Sequence, residues 1–324
     1  MNIYIFKIIL IILFIVISFP YIIYENFNCC LRYNKNIGNI NFKCPVELIF
    51  NGLNVLSDEE TLDEIIINNK SISRFGDGEF NLIFGIDVGF QNYNKKLSKK
   101  LRHILKCQEK DLLVGINIPY KNEHLFKYTD KVKNYYVNWV EKNKCELSRV
   151  INKNKLYSSS EITRFYFEYK DKEKIPNYIK KLKKIWDRKD VLIIEGEMSR
   201  LGINNDLFNN TKSIKRIICP SENAFDKYDK IINEVIKFDK KNLILIALGP
   251  TATVLTYDLY KLGYQAVDVG HIDIEYEWYL RNATKKCQIE NKYVNEALGK
   301  KYNFTKIKNK EYYNQIISKI LKFV

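Results

Sequence analysis

Four apolar runs in the second half of the chain constrain its fold more than any other feature: VLIIEGE (Val191 to Glu197), IKRIICP (Ile214 to Pro220), LILIALGP (Leu243 to Pro250) and QAVDVGH (Gln265 to His271). Each is too short for a buried helix and lacks the alternation of a strand with one wet face, so both faces must be covered. Helical patterns separate the last three. That alternation predicts βαβ units, an α/β fold with a mainly parallel sheet and helices on both faces.

The first half fits the same plan. Ser57-Asp58-Glu59-Glu60 is a capping box ahead of the amphipathic residues Leu62, Ile65 and Ile66, so a helix starts there. Ser71 to Phe75 reads as a short strand followed by a tight acidic turn, Gly76-Asp77-Gly78-Glu79. LLVGINI (Leu112 to Ile118) reads as a buried strand ended by Pro119. Tyr120 to Lys142 is mostly helical in pattern, with Trp139 on its apolar side. A chain of 324 residues with 46% hydrophobic residues suits one large packed domain without internal repeats.

The N-terminus is different in kind. Ile8 to Tyr24 carries no charge, nearly spans a bilayer, and has Tyr4, Tyr21 and Tyr24 where interfacial aromatics are favoured. No small-x-small cleavage site follows it, which favours an uncleaved signal-anchor over a removed leader. The expected organisation is a transmembrane anchor over 1–24, a stem over 25–56 and a catalytic domain over 57–324. Lys7 on one side faces Arg32, Lys35 and Lys43 on the other, so a lumenal and a cytosolic domain both stay open.

The net charge of +15 favours anionic partners, but lysine is spread along the whole chain. Its densest run, Lys95 to Lys106, reads as the outer face of a helix and has no interleaved aromatics or base-reading motif, which argues against nucleic acid. The seven cysteines form no CxxC pair and no zinc-like spacing. They suit free buried thiols, unless Cys29, Cys30 and Cys44 pair in an oxidising compartment.

Ligands of open α/β sheets bind beyond the carboxyl ends of the strands, so the residues just after each apolar run carry the chemistry. Asp77 and Glu79 offer two carboxylates that can turn toward a hard cation such as Mg²⁺ or Mn²⁺, with glycines letting the backbone bend; the same residues also make an ordinary turn. Gly249-Pro250-Thr251-Ala252-Thr253 opens a helix, whose backbone amides and two hydroxyls suit an anion, although a capped helix start explains the segment equally well. His271, Asp273, Glu275 and Glu277 occupy alternate positions. In an extended segment they share a face and supply a general base; on a helix they do not.

These residues carry a resemblance. SRFGDGEF (Ser73 to Phe80), VLIIEGEMSRLGINNDLF (Val191 to Phe208), IICPSENAF (Ile217 to Phe225), LGPTATVLTYDL (Leu248 to Leu259) and GYQAVDVGHIDIEYEW (Gly263 to Trp278) are similar, in order, to the bacterial GT-D-fold glycosyltransferase family, long classed as a domain of unknown function. The resemblance implies a Rossmann-like sheet and a divalent ion, Mn²⁺ or Mg²⁺, held by Asp77 and Glu79. It implies a UDP-sugar donor that gives up a hexose, glucose first, to a glycan or glycoprotein. It also points to the acidic segment for the catalytic base, Glu275 first and Asp273 second, with His271 beside them. Arg200, Asn205 and Ser221 lie in matching blocks and join Arg74, Gly76, Gly249, Thr251 and Thr253 as donor-binding expectations. A nucleotide-binding hydrolase or phosphotransferase uses the same parts, and a non-catalytic membrane-anchored binding protein is the third reading.

Overall fold

The computed structural model describes residues 50, 52–117, 126–297 and 308–321. The apolar N-terminal segment and most of the stem lie outside the described residues, as do Cys29, Cys30 and Cys44. Among the described residues no helix is long and apolar enough to cross a membrane.

The strands are β1 (Asn54–Val55), β2 (Ser71–Phe75), β3 (Leu112–Ile116), β4 (Leu156–Ser159), β5 (Asp190–Gly196), β6 (Ser213–Cys219), β7 (Leu243–Ala247), β8 (Ala266–Asp268) and β9 (Ile316–Lys319). They form one sheet in the order β1-β4-β3-β2-β8-β7-β5-β6-β9, and every pairing is parallel. The four apolar runs are β5, β6, β7 and β8. The helices are α1 (Asp58–Ile67), α2 (Asp77–Phe84), α3 (Lys95–Lys106), α4 (Asp130–Val150), α5 (Ile175–Leu182), α6 (Tyr228–Val235), α7 (Pro250–Lys261), α8 (Ile272–Leu280) and α9 (Lys310–Gln315).

Side chains alternate between two cores, as the twofold period of a strand requires. On one face Leu192 and Ile194 of β5 and Ile244 and Ile246 of β7 pack with Phe80 of α2, Leu101 of α3, Leu147 of α4, Ile231 of α6 and Leu255 of α7. On the other, Val191, Ile193, Leu243 and Leu245 pack with Leu62 of α1, Leu182 of α5 and Trp278 of α8. The helices that follow the neighbouring strands β2 and β8 therefore leave toward opposite faces. That divergence opens a crevice at the carboxyl ends of the two strands, where open α/β sheets bind their ligands.

Local signals explain where several elements begin. Ser57 and Glu60 close the expected capping box on α1. The Asn94 side chain accepts from the amides of Lys96 and Leu97 at the start of the basic helix α3, whose Leu97, Leu101, Ile104 and Leu105 face inward.

Five expectations are corrected. The stem does not extend to residue 56, because Phe50 and Leu53 are fully buried and β1 pairs with β4. The expected turn at Gly76 to Glu79 is the N-terminus of α2, Gly76 being its cap residue. Of the helix expected over Tyr120 to Lys142, residues 120–125 lie outside the described residues; among the described ones it begins at Asp130 and runs on to Val150, and Trp139 does pack inward, 5.8 Å from the Phe80 ring. His271 caps α8, and Asp273, Glu275 and Glu277 lie within it, so they share no strand face. Among the cysteines, Cys107, Cys219 and Cys287 are free, but Cys145 is disulfide-bonded.

Candidate active site

The crevice is a cavity of about 1230 Å³ lined from the ends of β2, β3, β4, β5, β6, β7 and β8. Its centre is the end of β2. Arg74, the fourth residue of β2, donates from Nη1 to the Ser160 carbonyl at 2.8 Å and to Thr163 Oγ1 at 2.6 Å, and from Nη2 to Asp268 Oδ1 at 3.1 Å. Asp268 also accepts from the Gly270 amide at 3.1 Å. Burial pushes the Asp268 carboxyl up, against the opposing pull of the Arg74 guanidinium.

The acidic pair follows at once. Asp77 is exposed at the first position of α2, and Tyr135 of α4 donates to its Oδ2 at 2.5 Å. Glu79 folds back so that Oε2 accepts from the Gly76 amide at 2.8 Å. Burial, with the charges of Asp268 and Asp77, pushes the Glu79 carboxyl up to about 7 despite that bond. A carboxylate held against its own ionisation beside two others is a site short of positive charge. Among the described residues no group of three or more His, Cys, Asp or Glu side chains could hold a metal ion. Two hard oxygen donors at an open cavity nonetheless fit Mg²⁺ or Mn²⁺, which fills its remaining positions with phosphate and water.

Across the crevice, α7 starts at Gly249, with φ 52°. A Cβ there would come within 2.5 Å of the Phe90 ring. Phe90 and Gly249 both line the cavity, together with Gly196 and Ser221 at the ends of β5 and β6.

Of the expected donor-binding residues, the structure brings Arg74, Gly76, Ser221 and Gly249 to the cavity wall, along with Asp77 and Glu79. Four others point elsewhere. Arg200 donates to the Asn291 carbonyl. Asn205 holds Asp273 and Glu277. The Thr251 hydroxyl meets Gln91, and that of Thr253 donates to the Arg74 carbonyl, so neither hydroxyl is free to join the amides of α7.

The acidic segment divides similarly. Asp273 and Glu277, one helical turn apart, share Lys292 at 2.7 and 2.8 Å; Asp273 also reaches the cavity wall. Glu275 is not on that wall and is fully buried, its Oε2 accepting from the amides of Tyr166 and Phe167 at 2.9 and 3.2 Å and its Oε1 3.8 Å from Arg164, which does line the cavity. His271 lines the cavity. Burial and Arg164 push its pKa down to about 3, so the ring is neutral, with a buried Nδ1 that has no hydrogen-bond partner.

Sequence reasoning missed Asp268, Phe90, Tyr135, Glu161 and Arg164, all on this wall or beside it. Only Asp268 left a signal, as a carboxylate inside an otherwise apolar run just before Gly270.

Residues 72–297 match the family described as glycosyltransferase GT-D fold. Glycosyltransferase GlyD of Streptococcus pneumoniae serotype 4 is 38% identical over 267 residues, covering 81% of this chain and 32% of that protein. The probable glycosyl transferase Gly of Streptococcus gordonii is 38% identical over 245 residues, covering 75% and 36%. The chain thus spans about a third of the length of these curated relatives. A solved domain of unknown function 1792, described as having a distinct glycosyltransferase fold, superposes with a TM-score of 0.78 at 39% identity, covering 85% of this chain and 98% of that one. A glycosyltransferase of the same domain type from Streptococcus sanguinis superposes with a TM-score of 0.76 at 36% identity, covering 83% and 99%. With its parallel sheet, its crevice at the strand ends and this match over most of its length, the chain belongs to the GT-D-fold glycosyltransferase family.

Proposed function

We propose that the protein transfers a hexose, glucose first, from a UDP-sugar to a glycan or glycoprotein acceptor with the help of Mn²⁺ or Mg²⁺. One observation carries this reading: the acidic pair Asp77 and Glu79 and the start of α7 at Gly249 line the same cavity. The positive end of a helix dipole attracts phosphate oxygens, and a carboxylate pair attracts a cation that phosphate also binds. A nucleoside diphosphate is the ligand that satisfies both.

In this reading Asp77 and Glu79 would hold the cation, which when bound would supply neutralising charge to the departing diphosphate. The positive end of the α7 dipole, at Gly249, faces the same charge from the other side; Pro250 has no N–H to offer and the Ala252 amide already donates to the Gly249 carbonyl. Arg74 lines the cavity with both Nη atoms spent on protein partners, so it fixes the loop beyond β4 and the end of β8 around the acidic pair. His271, neutral and with a free Nδ1, accepts a hydrogen bond from a bound hydroxyl.

The anchor at 1–24 would hold this domain at a membrane, and the Cys145 disulfide supports an oxidising, lumenal side. Asn282-Ala283-Thr284 is an N-glycosylation sequon with Asn282 exposed, so glycan there would mark that side, and its absence would favour the cytosolic one.

The test is UDP release from a panel of UDP-hexoses with Mn²⁺, with and without saccharide acceptors. Acceptor-stimulated release is expected. Release that no acceptor changes would mark a hydrolase, and failure to bind UDP with Mn²⁺ would leave only a non-catalytic role.

A further inference from the structure

We propose that Glu161 and Asn117 form the subsite for the acceptor, a neutral saccharide bound through its hydroxyls, on the β3–β4 side of the cavity. The proposal rests on the reading of glycosyl transfer. Sheet order separates the two substrates. Gly249, Gly196 and Ser221 stand at the ends of β7, β5 and β6, on one side of the acidic pair, while Asn117 and Glu161 follow β3 and β4 on the other.

The β3–β4 side offers less to phosphate. Glu161 and Glu168 both line it, with Lys131, Arg164 and Lys286; Arg164 and Lys286 are already paired with Glu296, and Lys286 with Glu168, and the helical turn that follows β4, Glu161–Thr163, is only three residues long, so there is no helix dipole. It suits a sugar. Tyr135, Tyr136 and Phe167 line the wall beside the carboxylates, and a pyranose has both apolar C–H faces for aromatic rings and hydroxyls for polar groups.

Two polar atoms there lack partners among the described residues, Asn117 Oδ1 and Glu161 Oε2, both buried. Glu161 is 5% exposed. A buried polar atom without a partner costs about 1–3 kcal/mol, which a ligand that donates hydrogen bonds removes. Saccharide hydroxyls are such donors. The amide of Asn117 is already oriented, since its Nδ2 donates to the Tyr136 hydroxyl, which leaves Oδ1 unpaired among the described residues on a side chain that lines the cavity. Burial and the neighbouring Glu168 push the Glu161 carboxyl up to about 8, against Arg164 and Lys127. At neutral pH it therefore carries a proton and both donates and accepts, as a hydroxyl pair requires.

Glu161→Gln keeps this capacity and Glu161→Ala removes it. With the UDP-hexose that supports transfer and a series of methyl hexosides as acceptors, Glu161→Ala should raise the acceptor KM at least about tenfold, the scale of one lost hydrogen bond. Glu161→Gln should stay within about threefold of wild type. UDP affinity, measured by calorimetry with Mn²⁺, should not change in either. An unchanged acceptor KM in Glu161→Ala, a matching loss of UDP affinity, or a hundredfold fall in kcat of Glu161→Gln at unchanged KM would each overturn the proposal, the last by making Glu161 a base. Should Glu161→Ala fail to fold, Asn117→Leu carries the same expectation for KM. If the wild type transfers no sugar, the functional reading fails by itself. Saturation-transfer NMR of methyl hexosides on the full chain then still decides the subsite: signal lost in Asn117→Leu supports it, and signal retained overturns it.

Discussion

The guanidinium of Arg74 on β2 meets the carboxylate of Asp268 on β8 at 3.1 Å, linking the halves of the sheet beside the residues that begin the acidic pair. The two strands are directly paired, Ile72 with Val267, and the helices after them diverge. The ion pair thus braces the mouth of the crevice where the backbone itself gives least support.

Gly270 makes that pair possible. Its φ is 43°, and a Cβ there would lie 2.1 Å from Arg74 Nη2. Gly270→Ala should therefore displace Arg74 and strain the backbone, costing about 1–3 kcal/mol, and should weaken UDP binding through the shifted β2 end. Urea unfolding and UDP calorimetry check both effects. Wild-type values in both would show that Arg74 is not a brace.

The metal assignment predicts more local losses. Asp77→Asn and Glu79→Gln each keep size but remove charge, and neither touches the buried core. Turnover should fall at least about 10²-fold, the scale of deleting one stabiliser of developing charge, and EDTA should abolish it in wild type. Melting temperatures without metal should stay near wild type. Normal turnover in the double variant, folded and metal-free, would remove the cation from the reaction.

Much of the architecture was legible because it rests on local patterns. The aliphatic runs became β5 to β8, and Ser57 and Glu60 became a capping box, since strand burial and helix caps are decided within a few residues. The site was less legible, because facing the cavity depends on tertiary geometry. Asp77 and Glu79 reach it from the first turn of a helix. Thr251 and Thr253 belong to the right segment, yet their hydroxyls are used by Gln91 and the Arg74 carbonyl. Glu161 was invisible, since LYSSSE has no apolar run to announce a strand end. The alternate carboxylates after His271 misled for a simple reason: alternation has meaning on a strand, and α8 is a helix that pairs Asp273 with Glu277 instead.

Helical placement changes the expectation for the acidic segment. Glu275 is fully buried and bonded to two backbone amides, and glutamine offers the same amides an oxygen acceptor. Glu275→Gln should keep turnover within about threefold, far from the 10² to 10⁴ that loss of a general base brings. Asp273→Asn should instead destabilise the protein by about 1–3 kcal/mol by weakening a charged hydrogen bond to buried Lys292. A hundredfold fall in kcat for folded Glu275→Gln would return the base to that residue.

Glu161 also predicts how stability depends on pH. Its carboxyl titrates near 4.5 in the unfolded chain and is pushed up to about 8 in the fold by burial and Glu168. Between those values the native state holds a proton that the unfolded state has lost, so stability is greatest below the unfolded value and declines as pH rises through the folded one. The interval covers about 3.5 pH units, each worth about 1.4 kcal/mol, which makes about 5 kcal/mol the ceiling of this loss. Glu161→Gln stays neutral throughout and has no such decline. Urea unfolding at pH 5 and pH 8.5 should therefore show wild type losing at least about 1 kcal/mol more than Glu161→Gln over that range. The two proteins should be nearly equal at pH 5, because the wild-type carboxyl is protonated there, and the variant should be the more stable at pH 8.5. Equal losses in both would mean that Glu161 ionises freely in the folded protein, with water or a cation reaching it in the cavity.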